Sequence, residues 1–171
     1  MFEWFWRMVG AWACSPRGFK WLCEYAIKTK REYKPIYHGR TLYMGRFWVI
    51  RRRWNLPSVR LHWILKPDNA RDLHSHPFHF RTIILRGWYM QEVPGKYWPS
   101  QKNDTRLVKM RPGMQSTCGY GQFHRITQVS KGGCWTLFIM WGGKRKDWGF
   151  MTKNGYVPAA EYKGTYKVEH V

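Results

Sequence analysis

Acidic residues are scarce in this chain of 171 residues, which has 10 Asp and Glu against 30 Lys and Arg and a formal net charge of +20. No two carboxylates are spaced for paired acid–base catalysis, and no Ser-His-Asp arrangement or phosphate-cradling glycine loop is evident. A strongly positive field predicts an anionic partner, with nucleic acid or another polyanion as the leading candidate. The alternative is that the excess charge only sets a basic pI.

Cysteines are also few, and the four present lack the CxxC spacing of metal-binding pairs or a dense disulfide framework. This predicts a cytoplasmic protein with reduced cysteines. If the protein is viral, the cytoplasm is that of the host cell. The apolar start of the chain carries Glu3 and Arg7, so it predicts neither a signal peptide nor a transmembrane span. A helix lying in a membrane surface remains an alternative for this stretch.

Aromatic residues, by contrast, make up 18% of the chain and include twelve tryptophans. Most tryptophans fall in strand-like runs, which favours a role in the core over base stacking. The length and apolar content predict one domain with a sizeable core.

The first part of the chain has helical periodicity. Phe2, Phe5 and Val9 recur at helical spacing, and a second such pattern follows Ser15-Pro16. Ser15 is the predicted N-cap of the second helix, with Pro16 at its first position. Pro35 prevents the helix from continuing.

From Ile36 onward the sequence predicts short strands separated by glycine and proline turns, with no helices between them. A Ser130–Gly133 turn predicts a hairpin between the last two regular strands. Such a series is typical of a sandwich or jelly roll. The predicted strands cover residues 42–54, 59–65, 79–93, 107–111, 122–129, 134–141 and 148–162.

Three histidines, His74, His76 and His79, lie close together within this β region. In a strand, alternate side chains share a face, so His74 and His76 point the same way. Two imidazoles on one face begin a metal site if a third ligand arrives from elsewhere. Otherwise they are two partly exposed loop histidines.

Here the chain resembles the cupin superfamily over about residues 40–162. Its first motif is an HxH pair, usually with a glutamate, before an apolar strand that ends in glycine, and its second runs from a glycine through PxG to a histidine. The matching positions are His74, His76 and Gly87 for the first motif, and Gly113, Gly121 and His124 for the second, with Gly119 in place of the proline. The segments HPxxF, ILRG and HRI also resemble small cupin-like proteins encoded by bacteriophages.

The resemblance implies a double-stranded β-helix, or jelly-roll barrel, in which His74, His76 and His124 meet around a divalent metal ion. Iron is the first candidate, with zinc, manganese and nickel as alternatives. Phe80 takes the usual glutamate position, so His79 or Asp72 is expected to complete the ligand set, or the site is a bare histidine triad. The remaining alternative is a metal site that has been lost.

Other side chains are candidates for supporting roles. His62 is predicted on a neighbouring strand, where it, like Asp72, could orient a ligand through a hydrogen bond. Arg125 is expected, by strand alternation, to face away from the metal and to have a structural role. Candidates for binding an anionic substrate or lining the pocket are Arg86, Gln115, Tyr89 and Tyr120, together with Arg81.

The sequence thus predicts a helical segment over residues 1–36, a β-barrel domain over 37–163 and a tail over 164–171. It favours a metal-binding protein, either an oxygenase-like enzyme acting on a small anionic or nucleotide-like substrate or, alternatively, a basic non-enzymatic protein that binds nucleic acid or an acidic host or virion partner. The resemblance also implies a homodimer.

Overall fold

The computed structural model describes residues 3–28, 33–51, 56–70, 72–101, 103–143 and 147–162. It confirms a mainly β protein preceded by two helices, α1 (Glu3–Cys14) and α2 (Pro16–Lys28). The strands are β1 (Ile36–His38), β2 (Thr41–Ile50), β3 (Ser58–Ile64), β4 (Leu73–His74), β5 (His79–Arg86), β6 (Tyr89–Pro94), β7 (Thr105–Met110), β8 (Gln115–Cys118), β9 (Arg125–Val129), β10 (Cys134–Trp141), β11 (Gly149–Thr152) and β12 (Gly155–Pro158).

The predicted N-cap between the two helices is confirmed. The backbone N–H of Gly18 donates a hydrogen bond of 3.0 Å to Ser15 Oγ, which satisfies one of the free donors at the start of α2. A Cβ atom at position 18 would lie 2.0 Å from the carbonyl oxygen of Trp12, so the tight link requires glycine there.

The first layer of the barrel is a six-stranded antiparallel sheet in the order β1-β2-β3-β10-β5-β8. Its outer face is covered by the helices, because Ala13, Leu22 and Ala26 pack against apolar side chains that alternate outward from the strands. The outward strand residues of this cluster are Val49, Leu61, Ile83, Leu85, Leu137 and Ile139.

The second layer consists of two three-stranded sheets, β12-β11-β4 and β7-β6-β9. An antiparallel bridge between His74 and His124 connects them, since His124 immediately precedes β9. The two layers enclose an apolar interior with two buried clusters, as expected for a jelly roll. One cluster comprises Ile64, Ile84, Tyr89, Met110, Ile126 and Cys134, and the other comprises Phe80, Cys118, Phe138 and Met140.

Strand pairing departs from the sequence-based expectation at two places. The segment 79–93, expected as one long strand or a hairpin arm, breaks at Gly87, whose φ is +70°, and its halves β5 and β6 lie in different sheets. The Ser130–Gly133 turn forms, with the Gly133 N–H donating to Ser130 O at 2.9 Å. It nevertheless connects β9, paired with β6, to β10, paired with β3 and β5, so the expected hairpin is wrong.

A local turn reverses the chain, but the burial of each strand's apolar face decides its partner.

The strand expected over 42–54 ends at Ile50, and residues 52–55 lie outside the described residues. The predicted tail, 164–171, also lies outside them, and the domain boundaries remain predictions. Neither described helix is long and apolar enough to cross a membrane.

Candidate metal centre

The backbone places two histidines side by side where the second layer is connected. The His74 N–H donates to His124 O at 2.9 Å, and the His124 N–H donates to His74 O at 3.0 Å. Residues that exchange both backbone hydrogen bonds lie directly opposite each other, with their side chains on one face. The ring centroids of His74 and His124 are accordingly 5.0 Å apart.

His76 completes a nearly regular triangle of rings. Its ring centroid is 5.0 Å from that of His74 and 5.1 Å from that of His124. One ligand nitrogen from each histidine lies within 4.8 Å of the others, and the three side chains are half-buried. The predicted grouping of His74, His76 and His124 is therefore present in the structure.

The local electrostatics favour the neutral, metal-binding form of these imidazoles. Removal from water lowers the pKa of His124 to about 4, and the same effect lowers the pKa of His74. Burial also holds the pKa of His76 well below its ordinary value, with a further contribution from the neighbouring histidines. At neutral pH each ring therefore keeps a lone pair available for a ligand bond.

The hydrogen bonds of the triad leave nitrogen atoms in position to bind a metal ion. His124 Nδ1 lies 3.4 Å from Gln91 Oε1, and donation to this oxygen leaves the lone pair on Nε2. Nε2 of His124 and Nε2 of His76 are 2.8 Å apart, a separation that two ligands at 2.0–2.1 Å from one ion can adopt. Nδ1 of His74 is buried without a hydrogen-bond partner. The donor set therefore fits a transition-metal ion.

No carboxylate joins the three histidines in the part of the chain that the structure describes. The Phe80 ring occupies the expected glutamate position, 4.9 Å from the His76 ring and 6.0 Å from the His124 ring. Asp72 accepts a hydrogen bond from Tyr162 Oη at 2.7 Å. Of the two proposed compensating ligands, Asp72 is therefore engaged elsewhere.

The other proposed fourth ligand, His79, is also placed away from the triad. Strand alternation turns it to the opposite face of β5 from Phe80. Its ring centroid is 4.0 Å from that of Tyr120 and 6.2 Å from that of Trp141. Among the described residues the site is thus a triad of histidines without a fourth protein ligand, which is one of the alternatives that the sequence left open.

The expected substrate-binding residues are dispersed. Arg86 donates to the carbonyl oxygens of Cys14 and Leu85, and Gln115 donates to Trp6 O at 2.7 Å, so both fasten the helices to the sheet. Gln115 faces outward because it pairs with the outward Ile83, and a β-bulge between Ile84 and Arg86 turns Arg86 to the helix side of the sheet. Tyr89 is a buried core residue, and Tyr120 donates to Gly143 O at 2.6 Å.

His62 points into the barrel from β3, but it does not hydrogen-bond to a ligand histidine. Its ring stacks on Phe138 with centroids 4.5 Å apart, and its Nε2 has no partner. The orienting contact to the triad comes instead from Gln91. Arg125 forms an ion pair with Glu92, in agreement with its predicted structural role.

Two contributors to the centre were missed from the sequence. In the sequence, Gln91 is one position of a predicted strand. The signal for its role was a polar amide that faces inward on the strand beside His124. Asp68 accepts a hydrogen bond of 2.7 Å from the Ile126 N–H, and its charge partly offsets the lowering of the pKa of His74 and His124 by burial. Asp68 is therefore the carboxylate that acts electrostatically on the triad without belonging to it.

No family model and no curated protein matches the sequence. Solved structures with a similar fold include a protein of unknown function with a cupin-like fold from Ralstonia eutropha JMP134, at 17% identity and a TM-score of 0.45, covering 73% of this chain and 70% of that one. The Fe(II) form of HppE matches at 15% identity and a TM-score of 0.45, over 63% of this chain and 56% of its own.

A variant of oxalate decarboxylase from Bacillus subtilis matches at 15% identity and a TM-score of 0.44, over 66% of this chain and 27% of that one. The matched region thus spans little more than half of HppE and about a quarter of the decarboxylase. Likeness of this extent carries no conclusion about what this chain binds or does.

Proposed function

We propose that the protein binds one divalent transition-metal ion through His74, His76 and His124. The observation that carries this proposal is the convergence of three ligand nitrogens within 4.8 Å on the interior face of the barrel. The lowered pKa values of the three rings and the unpartnered Nδ1 of His74 support it independently.

We further propose that the bound metal serves a reaction on a small anionic or nucleotide-like substrate, of the kind that oxygenases catalyse. Three neutral ligands leave the full charge of the ion in place, which favours an anion beside it, and leave open positions for substrate, water or dioxygen. Iron is the first candidate for the metal, and zinc, manganese and nickel suit the same ligands.

The residues around the triad would position these ligands and limit access of water. Gln91 holds His124 in one tautomer and orientation. Phe80 and Phe138 stack with centroids 4.8 Å apart and form an apolar wall beside His76. This wall lowers the local polarity, which strengthens charge interactions inside the barrel.

Metal analysis tests the proposal directly. The purified protein should contain or take up about one equivalent of metal per chain, and added iron, zinc, manganese or nickel should raise the melting temperature of chelator-treated protein. His76→Gln should lose both effects. Absence of bound metal together with no thermal shift from any of the four ions would refute the proposal.

His79→Gln is the matched control for this measurement. It removes an imidazole of the same segment that lies against Tyr120 instead of the triad. We expect it to retain metal with wild-type stoichiometry. Loss of metal in this variant would instead assign His79 as a ligand.

A second candidate function is the binding of nucleic acid or another polyanion. The observation that favours it is the net charge of +20. It is compatible with the first, because the metal centre is internal whereas the exposed basic side chains lie on the surface. The predicted homodimer is compatible with either function, and sedimentation equilibrium can test whether the protein forms it.

A further inference from the structure

We propose that the inner face of β2, β3 and β10 contains a binding site for a small oxyanion, formed by Arg46, Arg60, His62 and Thr136 with Ser58 at its edge. The site would take a phosphate, phosphonate or carboxylate group. It goes beyond the metal site and does not require bound metal, although it would supply the anion subsite that the proposed function needs.

Strand register brings these residues onto one face. His62 pairs with Arg46 on one side and with Thr136 on the other. Arg60 and Ser58 lie two and four residues before His62 on the same strand, so they share its face. Because Phe138 pairs with Arg60 and belongs to the interior cluster, this face is the inside of the barrel.

This face concentrates polar atoms that lack hydrogen-bond partners. Ser58 and Thr136 are 0% exposed and His62 is 7% exposed. Ser58 Oγ, His62 Nε2, Thr136 Oγ1 and also Arg60 Nε are buried without a partner. Buried polar groups are almost always hydrogen-bonded to protein or to bound molecules, so these four atoms on two adjacent strands need a partner from outside the protein, and a bound oxyanion would supply one.

The charges on this face point to an anion. Arg46 and Arg60 are half-buried, and neither forms an ion pair with an acidic side chain among residues 3–28, 33–51, 56–70, 72–101, 103–143 and 147–162. Burial and the nearby charge of Arg46 lower the pKa of Arg60 to about 10, so the Arg60 guanidinium remains protonated at neutral pH. An anion between them would relieve their mutual repulsion.

The geometry of Arg60 leaves its donors free for such a ligand. Its guanidinium carbon lies 3.8 Å from the centre of the Trp48 ring. A guanidinium stacked on an aromatic face keeps its N–H groups in its own plane, where they match the oxygens of a carboxylate or phosphate. Arg46 Nε donates a long hydrogen bond of 3.5 Å to Lys34 O.

A ladder of aromatic rings connects this face with the metal centre. His62 stacks on Phe138 at 4.5 Å, Phe138 stacks on Phe80 at 4.8 Å, and the Phe80 ring meets His76 at 4.9 Å. An acid group held by the arginines would therefore lie in the same interior as the triad. The rest of that molecule would extend along the aromatic wall toward the metal.

Isothermal titration calorimetry on chelator-treated protein tests the site, with inorganic phosphate and acetate as probes. We expect saturable binding of at least one probe at one site per chain. Preferential phosphate binding would identify a tetrahedral dianion as the ligand group, whereas preferential acetate binding would identify a carboxylate. Absence of binding by both probes would overturn the proposal.

Arg60→Gln is the first variant, and Arg106→Gln is its matched control because Arg106 is exposed on β7 in the other layer. Each change removes one positive charge from the chain. We expect Arg60→Gln to weaken binding about tenfold or more and Arg106→Gln to leave it unchanged. Equal weakening by both would show that surface charge alone attracts the probe, and the site would be rejected.

Thr136→Val keeps the proposal falsifiable if the arginine variant fails to fold. Valine has nearly the shape of threonine but lacks the buried, unpartnered hydroxyl, so we expect an unchanged or higher melting temperature together with weaker probe binding. Wild-type affinity in this well-folded variant would overturn the assignment. Metal content measured on the same samples separates the two proposals, because protein whose triad binds no metal should still bind the probe on the arginine face.

Discussion

At the scale of single residues, Gln91 is the side chain that fixes the orientation of a proposed metal ligand. It is 6% exposed, and its Oε1 lies 3.4 Å from His124 Nδ1. We predict that Gln91→Leu lowers metal affinity about 10–100-fold, because the His124 ring loses the partner that selects its tautomer. Competition with a metal-binding dye measures this. Gln128→Leu, an exposed change on β9, is the control, and equal affinities in wild type and Gln91→Leu would contradict the prediction.

Phe80 is the residue by which this centre differs from the motif it resembles. We predict that Phe80→Glu destabilises the metal-free protein by about 3–5 kcal/mol, because it buries a charge without a partner. Added manganese or iron should restore much of this stability, since the new carboxylate lies beside His76 and His124 and can join the ligands. Thermal melting with and without metal measures both effects.

Phe138→Glu serves as the matched control for this substitution. Phe138 is 8% exposed in the same cluster, but its ring contacts are with His62, Phe78 and Phe80. It should be destabilised as strongly and should not be rescued by metal. Equal rescue of the two variants would show that the metal acts without a new ligand bond.

The triad should also make the metal-free protein sensitive to acid. Burial lowers the folded-state pKa of His124 from 6.5 to about 4, so the unfolded chain binds protons more readily between these values. Stability is therefore fully present above pH 6.5 and falls as the pH drops toward 4. The loss should be about 1.4 kcal/mol per pH unit for each titrating histidine.

Urea unfolding in the presence of a chelator at pH 7 and pH 5 measures this loss. His124→Gln cannot take up the proton, so its stability should change less than that of the wild type between the two pH values. A wild-type unfolding free energy that is independent of pH over this range would contradict the prediction.

At the scale of secondary-structure elements, local signals were sufficient for the helices. The Ser15-Pro16 step defined the boundary between α1 and α2, because an N-cap depends on atoms only a few residues apart. The partners of the strands were not predictable in the same way. Gly132 and Gly133 both have positive φ and form the turn that their sequence indicates, but the strands on either side belong to different sheets.

The site residues divide in the same way, into those that local sequence identifies and those that depend on the pairing of strands. The HxH pair and a distant histidine were found because the motif resemblance identifies them by sequence spacing. Gln91, Arg46 and Arg60 were missed because their inward orientation depends on register across several strands, which one sequence does not reveal. The outward placement of Arg86 and Gln115 was missed for the same reason.

The cap between the helices provides a prediction for this scale. Ser15 Oγ accepts from Gly18 N–H and donates to Trp12 O at 2.7 Å, so it connects the end of α1 with the start of α2. Ser15→Ala should lower the unfolding free energy by about 1 kcal/mol. Ser15→Asp keeps an acceptor at the cap and should lose less, as urea denaturation can measure. Equal stability of the alanine variant and the wild type would refute a stabilising role for the cap.

At the scale of the whole molecule, the proposed metal centre and the proposed oxyanion site lie in different layers of one barrel. The triad lies where two small sheets are connected by a single bridged pair of residues, whereas the arginines lie on the continuous six-stranded sheet. Side chains from both layers converge on the interior through Phe80 and Phe138. The architecture thus allows a ligand to be held by one layer while it approaches a metal held by the other.

The net charge of +20 leads to a prediction about the whole surface. If exposed cations neutralise about six phosphates of a DNA duplex, the logarithm of the binding constant should fall against the logarithm of salt concentration with a slope of about −5. Fluorescence anisotropy with a labelled duplex across a salt series measures this slope. Arg60→Gln, which changes a half-buried arginine of the barrel interior, should leave it unchanged, because a duplex is too wide to enter the barrel. A slope near zero, or no binding at low salt, would mean that the positive charge does not support binding of nucleic acid.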